Sequence, residues 1–110
     1  MTHSIGGLET IHSSLADDPD LGELVALFVD EMRGRVDTLE RYYYHRDWPA
    51  LERAAHQLKG AGGSHGFDEV TLAAARLETA LRQRMESTRI VDAFEALVDV
   101  CLRVRVGSAD

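Results

Sequence analysis

One histidine in this 110-residue chain has neighbours suited to nucleophilic chemistry. His56 is followed by Lys59, Gly60 and Gly63, at positions i+3, i+4 and i+7. On an α-helix this spacing places all four residues on one face. A neutral imidazole nitrogen is a nucleophile toward phosphorus, and a lysine one turn away can balance the negative charge of a phosphoryl group. The pattern therefore indicates a histidine displayed on an open helix face.

The glycines around His56 are unusual for a helix, because each costs roughly 0.5–1 kcal/mol relative to alanine. Gly60 and Gly63 leave the space beside the histidine open to an approaching protein. A separate apolar stripe of the same helix is expected to face the core, and its members are Leu51, Ala55, Leu58 and Gly62. The two stripes predict a helix with one buried face and one accessible face.

Two further residues belong to the accessible face of this helix, on which an approaching protein would dock. Glu52, at i−4 from His56, could accept a hydrogen bond from the imidazole and select its tautomer, although an ordinary solvated carboxylate is the commoner outcome. Gln57 directly follows the histidine. Lys59 is expected to be exposed, so its removal should hardly change stability.

Other readings of these residues have less support. The glycine run Gly60–Gly66 does not resemble a phosphate-binding loop in context, since such a loop follows a strand and opens a helix. The spacing of His45, His56 and His65 does not place two metal ligands one turn apart, so no metal site is expected. No serine–histidine–aspartate arrangement can be argued from the spacing.

Composition limits the function classes. The net charge of −7, with acidic residues along the whole chain, argues against nucleic-acid binding. No apolar run approaches the length of a membrane span, and the N-terminus does not resemble a secretory signal. The single cysteine, Cys101, lies among apolar residues and is expected to fill the core. These features predict a cytoplasmic domain that does not bind membranes.

Apolar spacing of three and four residues predicts four helices, over about 20–45, from Trp48 to about Ser64, from Phe67 to Met85 and from Ser87 to Leu102. Their short connections favour an all-α, antiparallel up-down four-helix bundle. A short N-terminal helix (Leu8, Ile11, His12 and Leu15) is expected over the bundle end, and no strand is expected. Residues 1–110 are predicted to form one domain, with 1–7 and 107–110 flexible.

The sequence from His56 to Gly66 matches the pattern H-x-L-K-G-x(5)-G. It resembles the histidine-containing phosphotransfer (HPt) domain of two-component phosphorelays, and the resemblance covers nearly the whole chain. The resemblance implies that His56 is phosphorylated, that Lys59 lies near the phosphate and that Gly60 keeps the docking face open. It also implies that Gly66 ends the helix. His65 departs from the apolar or aromatic residue usual at its position, which leaves open whether its ring is buried, caps the helix or is solvated.

The resemblance also implies partners. A response-regulator receiver domain would exchange a phosphoryl group with His56 and would supply Mg²⁺, so no cofactor is expected in this chain. A hybrid sensor histidine kinase would be the other partner, and the protein itself would be a monomer without independent kinase activity. Sensor kinases typically carry an acidic residue after their histidine, whereas Gln57 stands here. The alternatives are a receiver-docking bundle that is not phosphorylated and a small enzyme with a histidine nucleophile.

Overall fold

The computed structural model describes residues 9–106 of the chain. They form four α-helices and two two-residue strands: β1 (Ile11–His12), α1 (Gly22–Tyr44), α2 (Trp48–Ser64), α3 (Asp68–Arg82), α4 (Ser87–Arg103) and β2 (Val104–Arg105). Each helix packs against the next one in the chain, and α1 also packs against α4. The predicted four helices are therefore confirmed, with ends that differ by a few residues.

The core lies between the four helices and contains the apolar stripe of each one. On α2 the stripe predicted from spacing is buried throughout: Leu51, Ala55, Leu58 and Gly62. The other helices contribute the large side chains Phe28, Met32, Leu39, Val70, Leu77, Phe94 and Leu97. Burial of this stripe turns the opposite face of α2, which carries His56, toward solvent.

Local sequence signals set both ends of α2. Asp47 caps its start, since the carboxylate accepts a hydrogen bond from the Ala50 N–H at 3.2 Å. At the other end Gly66 adopts a positive φ of 82°. The N–H groups of Phe67 and Gly66 then donate to the carbonyls of Gly62 and Gly63, at 2.8 and 3.0 Å, in a Schellman motif. The prediction that Gly66 ends the helix is confirmed.

The predicted short N-terminal helix is wrong. Ile11 and His12 are extended and pair in parallel with Val104 and Arg105, so the expectation of no strand is wrong as well. A two-residue strand is too short to show a period-two pattern, so these strands could not be recognised from apolar spacing. Leu8, and the segments 1–7 and 107–110 that were expected to be flexible, lie outside the described residues.

Hydrogen bonds to the α2–α3 turn explain the extended N-terminal segment. The buried Ser13 hydroxyl donates to the His65 carbonyl at 2.5 Å, and the Ser14 N–H donates to the Gly66 carbonyl at 3.0 Å. An α-helix through this segment would use the Ser14 N–H for its own backbone hydrogen bonds, so the Gly66 carbonyl gains this donor only if the segment is not helical. A Cβ on Gly66 would collide with the Ser13 hydroxyl.

His65 is half-buried, and its ring both packs against the core and caps the helix, which are two of the three roles left open by the sequence. Its ring stacks on Phe28, with 4.5 Å between ring centroids and 12° between the planes. Its Nδ1 lies 2.7 Å from the Ala61 carbonyl, to which it donates as an additional cap of α2. His65 therefore takes the part of an aromatic core residue and adds a hydrogen bond.

Within residues 9–106, none of the helices combines the length and the apolar character that crossing a bilayer requires.

Candidate functional site

His56 stands on the exposed face of α2, and α3 orients it. The imidazole is 62% exposed, and its Nδ1 lies 2.8 Å from Oε2 of Glu78. A carboxylate can only accept hydrogen bonds, so Nδ1–H is the donor. In a neutral ring, the lone pair then belongs to Nε2. This arrangement presents the nucleophilic nitrogen away from Glu78.

Glu78 is buried, with only 4% of its side chain exposed, and it contacts cations from two helices. Lys59 Nζ lies 2.8 Å from Oε1, and Arg82 Nη2 lies 2.7 Å from Oε2. The hydrogen bond from Lys59 is the main cause that lowers the pKa of Glu78 below its usual value of 4.5. The His56 hydrogen bond and the charges of Lys59 and Arg82 act in the same direction, while burial opposes them. Glu78 is therefore an anion at neutral pH.

Glu52 does not contact the imidazole. Its Oε2 accepts a hydrogen bond from Nε of Arg82 at 3.2 Å, so the suggestion that Glu52 orients His56 is wrong. Glu78, 22 residues further along the chain than His56, takes that place. Glu52 still lies beside the histidine, because both line one concavity of about 360 Å³ together with Gln57, Glu78 and Arg82.

Glu78 and Arg82 were not predicted as site residues, although the position of Glu78 in the sequence is a signal that could have identified it. It falls on the buried stripe of α3 beside Leu77 and Leu81, where a charged residue is rarely found unless it is paired. Arg82 is one turn further on, at i+4. A lone acid on an apolar stripe therefore indicates a partner on another helix, but not which one.

The three glycines of α2 differ in their surroundings. A Cβ at Gly62 would lie 3.0 Å from Val70 Cβ, and one at Gly63 would lie 3.2 Å from Thr71 Oγ1. Thr71 itself donates to the Lys59 carbonyl at 2.6 Å. The close approach of α3 therefore explains why positions 62 and 63 carry glycine and not a larger residue. A Cβ at Gly60 would meet nothing within 4 Å, so packing does not explain that glycine.

Gly34, in the middle of α1, shares this property with Gly60. An added Cβ would again have no neighbour within 4 Å, and the residue is exposed. Gly34 lines a groove of about 570 Å³ between α1 and α2, together with Ala54, Gln57 and Leu58. Gln57 is one turn from Gly60 and connects this groove with the His56 face. A glycine in a helix interior was the signal that could have identified Gly34.

Residues 9–106 offer neither a metal-binding cluster nor a reactive cysteine. No group of three or more histidine, cysteine, aspartate or glutamate side chains in residues 9–106 is placed to hold a metal ion. Cys101 is buried in the core, as its apolar neighbours predicted, and burial raises the pKa of its thiol to about 12. The candidate site is therefore the group formed by His56, Lys59, Glu78 and Arg82.

Comparison with known proteins gives the class of the chain. The family model of the Hpt domain matches residues 23–105, which span all four helices, and the chain belongs to this family. Hpt domains are phosphotransfer modules of two-component systems, generally without kinase activity, and they interact with response-regulator receivers and kinases. No curated protein and no solved structure gives a significant match.

Proposed function

We propose that this protein is a phosphorelay intermediate, in which His56 exchanges a phosphoryl group with the aspartate of a response-regulator receiver domain. The observation that carries the proposal is the hydrogen bond from His56 Nδ1–H to the buried carboxylate of Glu78. It gives the ring one tautomer and leaves Nε2 as the nucleophile. Membership of the Hpt family supports the same conclusion independently.

The transfer step needs no added base. The Nε2 lone pair attacks phosphorus while the bond from phosphorus to the receiver's aspartate oxygen breaks, and the carboxylate leaves with that electron pair. The imidazole keeps its Nδ1 proton and becomes positively charged. The Glu78 anion, 2.8 Å from Nδ1, stabilises this charge, and the reverse transfer follows the same path.

Cations near His56 would balance the transferred group, which carries close to two negative charges. Lys59 and Arg82 both contact Glu78 and lie beside the imidazole. The receiver would supply Mg²⁺ and no cofactor would come from this chain. Both cations reach solvent, since their side chains are 36% and 63% exposed, and each has further N–H donors that could serve a phosphoryl oxygen while one stays on Glu78.

The receiver would dock on the face that surrounds His56 on α2 and continue onto α1. Gly60 and Gly34 support this, because neither glycine is explained by packing and neither places a side chain in the way of a docked protein. Gln57 lines the groove with Gly34 and stands one helical turn from Gly60, so it would belong to the same surface. Gly63 approaches Thr71 of α3 and Glu52 pairs with Arg82 of α3, so these two residues would form the opposite margin of the docking face.

The proposal includes an antiparallel up-down arrangement of the bundle. Contacts between α2 and α3 run in opposite directions along the two helices, since Glu52 pairs with Arg82 while Lys59 is bonded by Thr71. The connections of three or four residues between helices favour the same arrangement. The whole chain is proposed to act as one cytoplasmic, monomeric domain that exchanges phosphoryl groups within a pathway containing a hybrid sensor kinase.

Labelling tests the proposal. The wild type, His56→Gln and the matched control His45→Gln would be incubated with a phosphorylated receiver domain. Acid-labile, base-stable phosphate is expected on the wild type and on the control, and none on His56→Gln. A protein that binds the receiver without labelling would be a docking bundle only, and phosphate release without a labelled intermediate would indicate a hydrolase. Label that persists in His56→Gln contradicts the assignment of His56.

A further inference from the structure

Arg82 is held between two carboxylates of unequal burial. Its Nη2 lies 2.7 Å from Oε2 of Glu78, and its Nε lies 3.2 Å from Oε2 of Glu52. The Glu78 side chain is 4% exposed and that of Glu52 is 33% exposed. His56 Nδ1 contacts the same Glu78 oxygen as Arg82, at 2.8 Å, so the guanidinium and the imidazole are direct neighbours.

We infer that Glu52 is a positioning residue that shifts the phosphoryl-transfer equilibrium of His56 away from phosphohistidine, because Glu52 competes with the phosphoryl group for Arg82. This inference rests on the proposed function. In the unphosphorylated protein, Glu52 keeps the Arg82 Nε–H occupied. On phosphorylation, the same N–H can serve a phosphoryl oxygen only if it leaves Glu52.

The difference in burial decides which carboxylate gives up Arg82. Glu78 is shielded from water, so a donor removed from it is not replaced, and the loss is costly. Glu52 reaches solvent, and water can take the place of the Arg82 N–H. The Nε–H would therefore exchange Glu52 for the phosphoryl group while Nη2 stays on Glu78.

Glu52 opposes phosphorylation in a second way as well. Its carboxylate lines the concavity that contains His56, and two like charges in one concavity repel each other. Replacement of Glu52 by glutamine removes this repulsion and releases Arg82, so both effects favour phosphohistidine. Because exposed ion pairs are weak, the expected shift in the transfer equilibrium is roughly two- to five-fold. It should shrink at high salt, where exposed charges are screened.

The transfer equilibrium is the informative measurement. The protein would first be phosphorylated with phosphoramidate, and ³¹P NMR would confirm phosphohistidine. The phosphorylated protein would then be mixed with a receiver domain that accepts its phosphoryl group, and the final distribution of phosphate would be measured. A residue that only contacts the docked receiver alters the rate of this exchange but not its equilibrium, so the equilibrium separates the inference from a docking role of Glu52.

Matched variants complete the experiment. Glu95→Gln makes the same change of charge at an exposed position on α4 and should leave the equilibrium unchanged. Glu52→Gln should shift it toward phosphohistidine in the wild-type background, and clearly less in Arg82→Gln. Thermal unfolding would confirm that each variant is folded.

The possible results are distinguishable. If the wild type takes no phosphate on His56, the proposed function fails and this inference fails with it. If the wild type is phosphorylated but Glu52→Gln has the wild-type equilibrium, or shifts it no more than Glu95→Gln does, only the inference is overturned. An equal shift with and without Arg82 also overturns it, since the competition for Arg82 would then be irrelevant.

Discussion

Lys59 of α2 and Glu78 of α3 form an ion pair, with 2.8 Å between Nζ and Oε1, in which the carboxylate is buried and the lysine is partly exposed. The pair connects the helix that displays His56 to the helix that orients it. Lys59 therefore stabilises the contact between two helices in the absence of phosphate, and its removal should lower the stability of the protein.

Lys59→Met should destabilise the protein by roughly 1–2 kcal/mol, because a buried carboxylate loses one of its donors. The expectation from the sequence, that Lys59 is simply exposed, had predicted almost no change in the free energy of unfolding. Arg53→Met, an exposed cation on the same helix, is the control and should stay within about 0.5 kcal/mol of the wild type. Urea unfolding of the two variants gives the comparison, and equal effects would show that the pair contributes nothing specific.

The lowered pKa of Glu78 predicts a loss of stability in acid. A carboxyl group whose pKa is lower in the folded state stabilises fully above its usual value of 4.5, and this contribution is lost as the pH falls through the lower folded-state pKa. The free energy of unfolding of the wild type should thus fall more steeply below pH 4.5 than that of Glu78→Gln. Urea unfolding over a pH series measures both slopes, with Glu95→Gln expected to follow the wild type. Identical slopes for the wild type and Glu78→Gln would show that the pKa of Glu78 is not lowered in the folded protein.

Gly60 and Gly62 should respond to alanine with opposite signs. Gly60→Ala should stabilise the protein by roughly 0.5–1 kcal/mol, since the position is helical and the new Cβ meets nothing. Gly62→Ala should destabilise it by roughly 1–3 kcal/mol, because the Cβ would crowd Val70 in the core. Thermal and urea unfolding of both variants provide the test. A shared sign would contradict the division of the glycines into packing and non-packing positions.

The exposed glycines Gly34 on α1 and Gly60 on α2 predict how receiver docking responds to a larger side chain. Gly34→Gln and Gly60→Gln should both fold, since each side chain would point into open space. Both should slow transfer from a receiver, by up to about 10²-fold if the reacting groups are displaced by about 1 Å. Phosphorylation by phosphoramidate should be much less affected, because a small donor needs little clearance. Arg33→Gln, an exposed change on another face of α1, is the control.

A Gly34→Gln variant that transfers at the wild-type rate would confine the docking face to α2. If Gly60→Gln does the same, the docking face as a whole is wrong. Loss of folding in either variant would instead assign that glycine to packing.

Cys101 should be chemically silent in the folded protein. Burial raises the pKa of its thiol to about 12, so almost no thiolate forms at pH 8, and the sulfur is also inaccessible. Alkylation by iodoacetamide should be slower than in the urea-unfolded chain by on the order of 10²-fold or more. Ser87→Cys in a Cys101→Ala background offers an exposed thiol for comparison, and equal rates for the two thiols would contradict burial of Cys101.

The helices and the histidine face could be predicted because their signals are local. The apolar spacing and Asp47 define α2, and Gly66 ends it as its position suggested. The extended Ile11–His12 segment could not be predicted, because its partners are the distant Val104–Arg105 strand and the α2–α3 turn.

The same distinction applies within the site. His56 and Lys59 stand three residues apart, so helical periodicity alone relates them. Glu78 is brought to them only when α3 packs on α2, and no spacing along the chain gives the register of that packing. Helical spacing offered Glu52 instead, at the right distance on the same helix, but Arg82 occupies that carboxylate.

The parallel pairing of Ile11 with Val104 has a consequence for how this unit can be combined with others. The segment that leads into the bundle and the segment that leaves it run side by side in the same direction. The start of Ile11 and the end of Arg105 therefore lie at opposite ends of the pair. The chain passes along this edge of the bundle in one direction, which suits attachment in line, with one flanking segment joined at each end of the pair. A linker that closed Arg105 onto Ile11 would have to cross back along the strands, since parallel strands cannot be joined by a tight turn.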